Sequence, residues 1–369
     1  MESLNSHKEI VNYFKDHKFF SIIMIKAEKL GNEVISDEIY EILKTLNSSN
    51  INLTTISNYI LSDVLTFQPS LRSLVWKLFL KYLSTNCGKW EDNIDKKREE
   101  YKLLKNLNYD FPSSNFEETK ILDLIDKDVK RTYRNINFFN LNNINNKKET
   151  NLDVIKRLLF IFSKKHPEIS YVQGLNVIIA NIFYVFSQDQ NPYFKLYAEE
   201  DTFFCFELLI NDFKDVYIYE KDTSETGIRI IINYIKFLVF FIDKELFLHL
   251  LKMKIDIYAF VFKWYTLFFS QDFYFDVTLK IWDHFLCNIN KKEYLTFLCV
   301  SSILIKRDKL LSNDIEIICD TLQSFKPMDE LYLFAKVPEI TKIIIDDAEK
   351  INRRNYKKFL REYNLIPEQ

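Results

Sequence analysis

Glycine is nearly missing from this chain. Four of its 369 residues are glycine and seven are proline, where average usage near 7% would supply roughly 25 glycines. A Walker-type phosphate loop needs two glycines within six residues, and a dinucleotide fingerprint needs three. Gly31, Gly88, Gly174 and Gly227 are too far apart for either. A nucleotide held by a glycine-rich loop of this chain is therefore excluded. Hairpin turns with positive φ also lean on glycine, which argues against a strand-rich architecture.

Other absences narrow the chemistry. The five cysteines (Cys87, Cys205, Cys287, Cys299, Cys319) form no CxxC pair, so neither a metal site nor a disulfide framework is expected, and reduced thiols fit a cytoplasmic chain. The five histidines include no HExxH and no pair at ligand spacing. No GxSxG elbow occurs. Fifty basic residues stand against 52 acidic ones, for a net charge of −2, so no global basic field draws nucleic acid or anionic lipid. The opening residues MESLNSHKEIVNYFKDHKFF are charged throughout and lack an apolar signal core. Residues Ile169 to Gln188 carry no formal charge. Spanning a bilayer would nevertheless bury the amides of Gln173, Asn176, Asn181 and Gln188 in hydrocarbon. A core helix beginning near Leu175 is the expectation. Membrane association, if any, is expected to be peripheral and through partners.

What the chain does have is apolar residues at helical spacing. It is 47% hydrophobic and 28% charged, with 33 phenylalanines and 21 tyrosines. Without a basic surplus these rings read as core filling rather than as a base-stacking platform. Periodicity predicts helices over 9–30, 34–46, 71–83, 90–104, 121–133 and 152–165. Further helices are expected over 175–187, 199–212, 226–241, 243–252, 256–269, 273–286, 292–306, 312–323 and 339–362. Pro69 precedes the third helix where proline suits a helix start. Pro167 ends the sixth, because it pushes His166 out of helical geometry. Asn140–Thr150 is a low-complexity loop. No fixed-period repeat is visible, so the fold class is all-α and not a regular solenoid.

Two segments carry candidate chemistry. In Ile125-Asp126-Lys127-Asp128-Val129-Lys130-Arg131-Thr132, Val129 continues an apolar row from Ile121 and Ile125. Arg131 lies roughly 200° further around the helix, so it faces outward. Asp128 can orient it as an i, i+3 pair. Such a pair alone is usually only a solvated ion pair. The second segment, Tyr171-Val172-Gln173-Gly174-Leu175-Asn176, holds the only glycine between Gly88 and Gly227. Glycine retained in so glycine-poor a chain suggests a backbone shape other residues resist. A plain helix-entry turn capped by Gln173 would explain the same residues.

With their neighbours, these segments resemble the TBC (Tre-2/Bub2/Cdc16) domain, whose motifs are R-x-x-x-W, I-x-x-D-x-x-R and Y-x-Q-G. The chain has Arg72 to Trp76, Ile125-Asp128-Arg131 and Tyr171-Gln173-Gly174 in that order. Later, Trp264 in KWYTLF and Trp282-Asp283 in LKIWD look like the family's W-x-x-L and R-I-W-D signatures. The likeness spans about residues 60–330. It departs at Ser70-Leu71-Arg72, where the family often has glycine before the arginine, and at Leu175-Asn176-Val177, where many members have Met-Asn-Glu.

The resemblance implies a V-shaped helical domain of two lobes, over 56–210 and 211–345 within a TBC domain at 56–345. A helical extension (1–55) and a C-terminal helix or tail (346–369) flank it. It also implies a GTPase activator of the Rab-GAP type, cytoplasmic or peripheral on endomembranes and acting in vesicle trafficking. Arg131 would be the arginine finger and Gln173 the glutamine finger, with Asp128, Thr132, Tyr171, Gly174 and Asn176 supporting them. Arg72, Trp76, Trp264, Trp282 and Asp283 would be structural. The implied partner is a GTP-bound Rab-family GTPase that carries the GTP and Mg²⁺, so no cofactor or metal of this chain's own is expected. Two other readings are open: a catalytically idle scaffold or effector that binds a small GTPase, and an unrelated helical interaction protein.

Overall fold

The structure is a computed structural model that describes residues 37–60, 65, 68–110, 116–140, 149–218, 227–326 and 329–365. No β-strand occurs among the described residues, and the chain is all-α. The described residues divide into two compact units, one formed by those up to Asp212 with Trp282–Ile289, the other by those of Phe213–Ile281 with those from Asn290 onward. The helix expected over 9–30 lies outside the described residues.

The first unit contains α1 (Asp37–Leu46), α2 (Leu53–Ile60), α3 (Pro69–Phe79), α4 (Trp90–Lys105), α5 (Phe116–Val129), α6 (Asn151–Lys165), α7 (Leu175–Ser187) and α8 (Ala198–Asp212). At its centre is α7, packed against α3, α5, α6 and α8. The charge-free run finds its explanation here: eleven of thirteen residues of α7 are buried, and a helix apolar all round belongs inside a protein. Helix α6 begins with a capping box, in which Thr150 Oγ1 accepts from the Asp153 N–H (3.1 Å) and the Thr150 N–H donates to Asp153 Oδ2 (2.8 Å). It stops at Lys165, one residue before His166 and Pro167. Helix α2 escapes periodicity analysis because LTTISNYI is half polar and β-branched. Its start is fixed instead by Asn52, whose Oδ1 accepts from the amides of Thr54 and Thr55 (3.0 and 3.2 Å).

The second unit contains α9 (Ile228–Ile242), α10 (Lys244–Lys252), α11 (Tyr258–Thr266), the start of α12 (Phe275–Leu286), α13 (Lys291–Leu304), α14 (Ile315–Gln323), α15 (Asp329–Asp346) and α16 (Arg353–Glu362). Its core helix is α13, which packs against α9, α11 and α15. The single helix expected over 339–362 is two. Helix α15 starts earlier and runs through Pro338 to Asp346. After a turn, Asn352 caps α16 by accepting from the Asn355 N–H at 3.0 Å.

No helix among the described residues is long and apolar enough to cross a membrane.

Candidate functional site

The site begins where α5 ends. Ile125 and Val129 are buried, but regular helix stops at Val129 rather than reaching Tyr133 as the periodicity predicts. The amides of Arg131 and Thr132 tighten onto the carbonyls of Asp128 and Val129 (both 3.0 Å). Tyr133 then turns left-handed, with φ of 40°, a conformation an α-helix cannot continue. The Tyr133 hydroxyl donates to Asn181 Oδ1 on α7 at 2.8 Å, which holds the turn against the core. Arg131 therefore stands just beyond the helix, on a turn anchored at both ends, with its side chain 58% exposed.

The second segment links α6 to α7. Gly174 has φ 100° and ψ −15° and is the residue that caps α7. A Cβ would be strained in that left-handed geometry, which accounts for glycine at this one position of the loop. Capping by Gln173, the alternative reading of this loop, does not occur, since the α7 N-terminus has no side-chain cap. Gln173 is exposed, and its carboxamide makes no hydrogen bond among the described residues.

Asp128 joins the two segments. Its Oδ1 accepts from Arg131 Nη2 at 2.5 Å and its Oδ2 from the Tyr171 hydroxyl at 2.8 Å. Its backbone carbonyl accepts from Asn176 Nδ2 at 3.1 Å, and the same nitrogen donates to Thr132 Oγ1 at 2.8 Å. Arg131 Nε donates to the Lys127 carbonyl at 3.2 Å. Asp128, Thr132 and Asn176 are all buried. One buried carboxylate thus aims an exposed guanidinium on one side and grips the glutamine loop on the other. The Tyr171 hydroxyl is held protonated, its pKa raised first by burial, then by its hydrogen bond to the Asp128 carboxylate and by that group's charge. At physiological pH it is therefore the donor to that carboxylate.

Among the remaining motif residues, Arg72, Trp76, Trp282 and Asp283 meet within the first unit. Arg72 Nη2 and Nε reach the Asp283 carboxylate at 2.8 to 3.1 Å, and Trp76 Nε1 donates to Asp283 Oδ1 at 2.7 Å. The rings of Trp76 and Trp282 lie 5.6 Å apart. This cluster is buried and presents no free polar group to a ligand, so its geometry is that of a packing anchor. Trp264 is buried in the second unit, stacked on Phe269 at 5.6 Å.

Sequence reasoning missed two supports of the site. One is Tyr133 with Asn181. An asparagine inside an otherwise apolar helix was the available signal, because a buried amide needs a partner. The other is Asp126, which accepts from Lys130 (2.6 Å) and Lys156 (2.7 Å). Hydrogen bonds from these two lysines lower its pKa.

This arrangement presents one oriented arginine and one free carboxamide on the surface. Among the described residues no cluster of His, Cys, Asp or Glu could hold a metal.

Residues 69–311 match the family described as the Rab-GTPase-TBC domain, and the chain belongs to that family. TBC1 domain family member 13 of Homo sapiens is 33% identical over 192 residues, which cover 52% of this chain and 48% of that protein. GTPase-activating protein GYP1 of Saccharomyces cerevisiae is 24% identical over 239 residues, covering 60% of this chain and 36% of GYP1. The chain thus spans about half or less of the length of these curated relatives. The crystal structure of the Ypt/Rab-GAP domain of Gyp1p superposes with a TM-score of 0.71 at 22% identity, covering 83% of this chain and 98% of that one. The Chlamydomonas flagellar RabGAP TBC domain gives 0.54 at 14% identity, covering 91% and 96%. Both place the fold.

Proposed function

We propose that this chain is a GTPase-activating protein for a Rab-family small GTPase in its GTP-bound form, acting in vesicle trafficking on cytoplasmic membrane surfaces. Arg131 supplies an arginine finger and Gln173 a glutamine finger. The observation that carries the reading is the double grip of Asp128, which ties an exposed arginine and the loop of an exposed glutamine to one buried carboxylate.

The chemistry suits these residue types. GTP hydrolysis is slow when charge developing on the phosphoryl oxygens is poorly neutralised and the attacking water is badly placed. An arginine delivered by an activator stabilises that charge, an effect worth about 10³–10⁵ in rate. Its planar fork contacts two oxygens together, which a lysine cannot do. A neutral carboxamide both donates and accepts, so Gln173 can hold a water by one group and a backbone group of the partner by the other. GTP and Mg²⁺ arrive with the GTPase, which makes this chain an activator rather than an enzyme with a nucleotide site of its own.

The test is single-turnover GTP hydrolysis across a panel of Rab proteins, with Arg131→Ala and Gln173→Ala beside the wild type. At least one Rab should be accelerated, and each substitution should remove most of that acceleration. A wild type that binds a GTP-loaded Rab without changing its hydrolysis rate would establish the idle-scaffold reading instead.

A further inference from the structure

The run from Lys350 to Arg361 holds six cations and no acid, in a protein whose overall charge is −2. Helix α16 sorts them. Phe359 is buried and, with Tyr356 and Tyr363, packs on the rings of Phe237, Phe240 and Phe247 at centroid distances of 5.2–5.5 Å. Arg353, Arg354, Lys357, Lys358 and Arg361 are all exposed. At about 100° per residue they cover an arc of roughly 140° opposite Phe359. None of the five makes an ion pair or a side-chain hydrogen bond among the described residues. Lys350, just before this helix, is by contrast paired with Asp347 (2.6 Å).

We propose that this face of α16 is a docking surface for an anionic lipid bilayer. With Asn355 and Glu362, the five cations border an open groove of about 870 Å³. It is open to solvent rather than enclosed around one small anion. Two features set the mode of contact. The apolar side of α16 is already spent on the protein core, so the helix does not insert its rings into the acyl region as a free amphipathic helix does. What remains is electrostatic adsorption, in which each cation near an anionic surface strengthens binding about fivefold. The cations alternate Arg and Lys in two rows along the helix, with no exposed aromatic between them. Mobile phosphates satisfy such an array, whereas a base-reading surface would need stacking rings. This surface stands independently of the GTPase reading, and it adds a direct membrane contact to any made through partners.

The experiment is co-sedimentation of the full chain with vesicles of phosphatidylcholine alone or with about a third phosphatidylserine. Wild type should bind the anionic vesicles and not the neutral ones. Binding should fall as salt rises from about 0.1 M to about 1 M and the screening length shrinks from about 10 Å to about 3 Å. Changing Arg354, Lys357, Lys358 and Arg361 together to Gln should weaken binding by roughly two to three orders of magnitude. Glutamine keeps helix propensity, and Phe359 is untouched, so circular dichroism should be unchanged. A charge-preserving variant (Lys357→Arg, Lys358→Arg, Arg361→Lys) should bind as wild type. Equal binding to both vesicle types, no binding at low salt, loss of binding in the charge-preserving variant, or preference for poly-glutamate or RNA over the vesicles would each overturn the proposal.

Discussion

Replacing Asp128 with Asn tests the hinge of the site with little change of shape. The wild-type carboxylate accepts from Arg131 on one oxygen and from Tyr171 on the other. The amide has a single oxygen, and only one neighbour can adapt. A guanidinium cannot accept a hydrogen bond, whereas a tyrosine hydroxyl can. The amide oxygen should therefore turn to Arg131 and its NH₂ to the Tyr171 oxygen. Both contacts persist, but the charge assistance is lost. Arg131 is 58% exposed and Asp128 only 9%, so solvent screens part of the pair, and we put the loss at about 1 kcal/mol. If Asp128 only positions Arg131, that loosening should lower kcat/KM for activation about five- to tenfold. Removing Arg131 altogether should cost about 10³-fold or more. Tyr171→Phe and Asp128→Asn should be non-additive in activation, because both act through the side chain of residue 128. The assay is single-turnover hydrolysis on the Rab that responds best, with melting temperature as the fold control. Wild-type activation by folded Asp128→Asn would refute the positioning argument. A loss as deep as that of Arg131→Ala would refute it as well, by giving Asp128 a role beyond aiming the arginine.

Two further substitutions separate the site from its scaffold. Gly174→Ala forces a Cβ onto a residue at φ 100° and should destabilise the chain by about 1–2 kcal/mol. It should also cut activation by displacing Gln173, which urea melts and the hydrolysis assay read independently. Asp283→Ala leaves the buried Arg72 guanidinium without the carboxylate it grips at 2.8 Å and should cost about 3–5 kcal/mol. The loss should appear in the melting temperature, while any protein that remains folded keeps its response to Arg131→Ala.

Legibility differed from element to element. The burial of α7 was readable in advance, because twenty uncharged residues containing four amides can only be a core helix. The end of α6 was written in Pro167. The end of α5 was not, since Ile121, Ile125 and Val129 set a row that nothing local interrupts. What interrupts it is Tyr133 reaching Asn181 on another helix. Helix α2 and the split between α15 and α16 were missed because asparagine caps decide them, and this chain has too many asparagines for any one to stand out. In the site, the residue types and their order were visible in the motifs. The absence of a cap from Gln173 was not.

The sequence by itself determined an all-helical chain bearing an arginine segment and a glutamine–glycine segment in a fixed order. Those properties are local: apolar spacing sets a helix. Only the tertiary structure decided that Asp128 bonds Tyr171, 43 residues away, and that Arg72 closes on Asp283, 211 residues away. The physical reason is that periodicity shows which face of a helix is buried but not which other face it meets. A hydrogen bond between distant side chains needs that meeting settled to within a few tenths of an ångström.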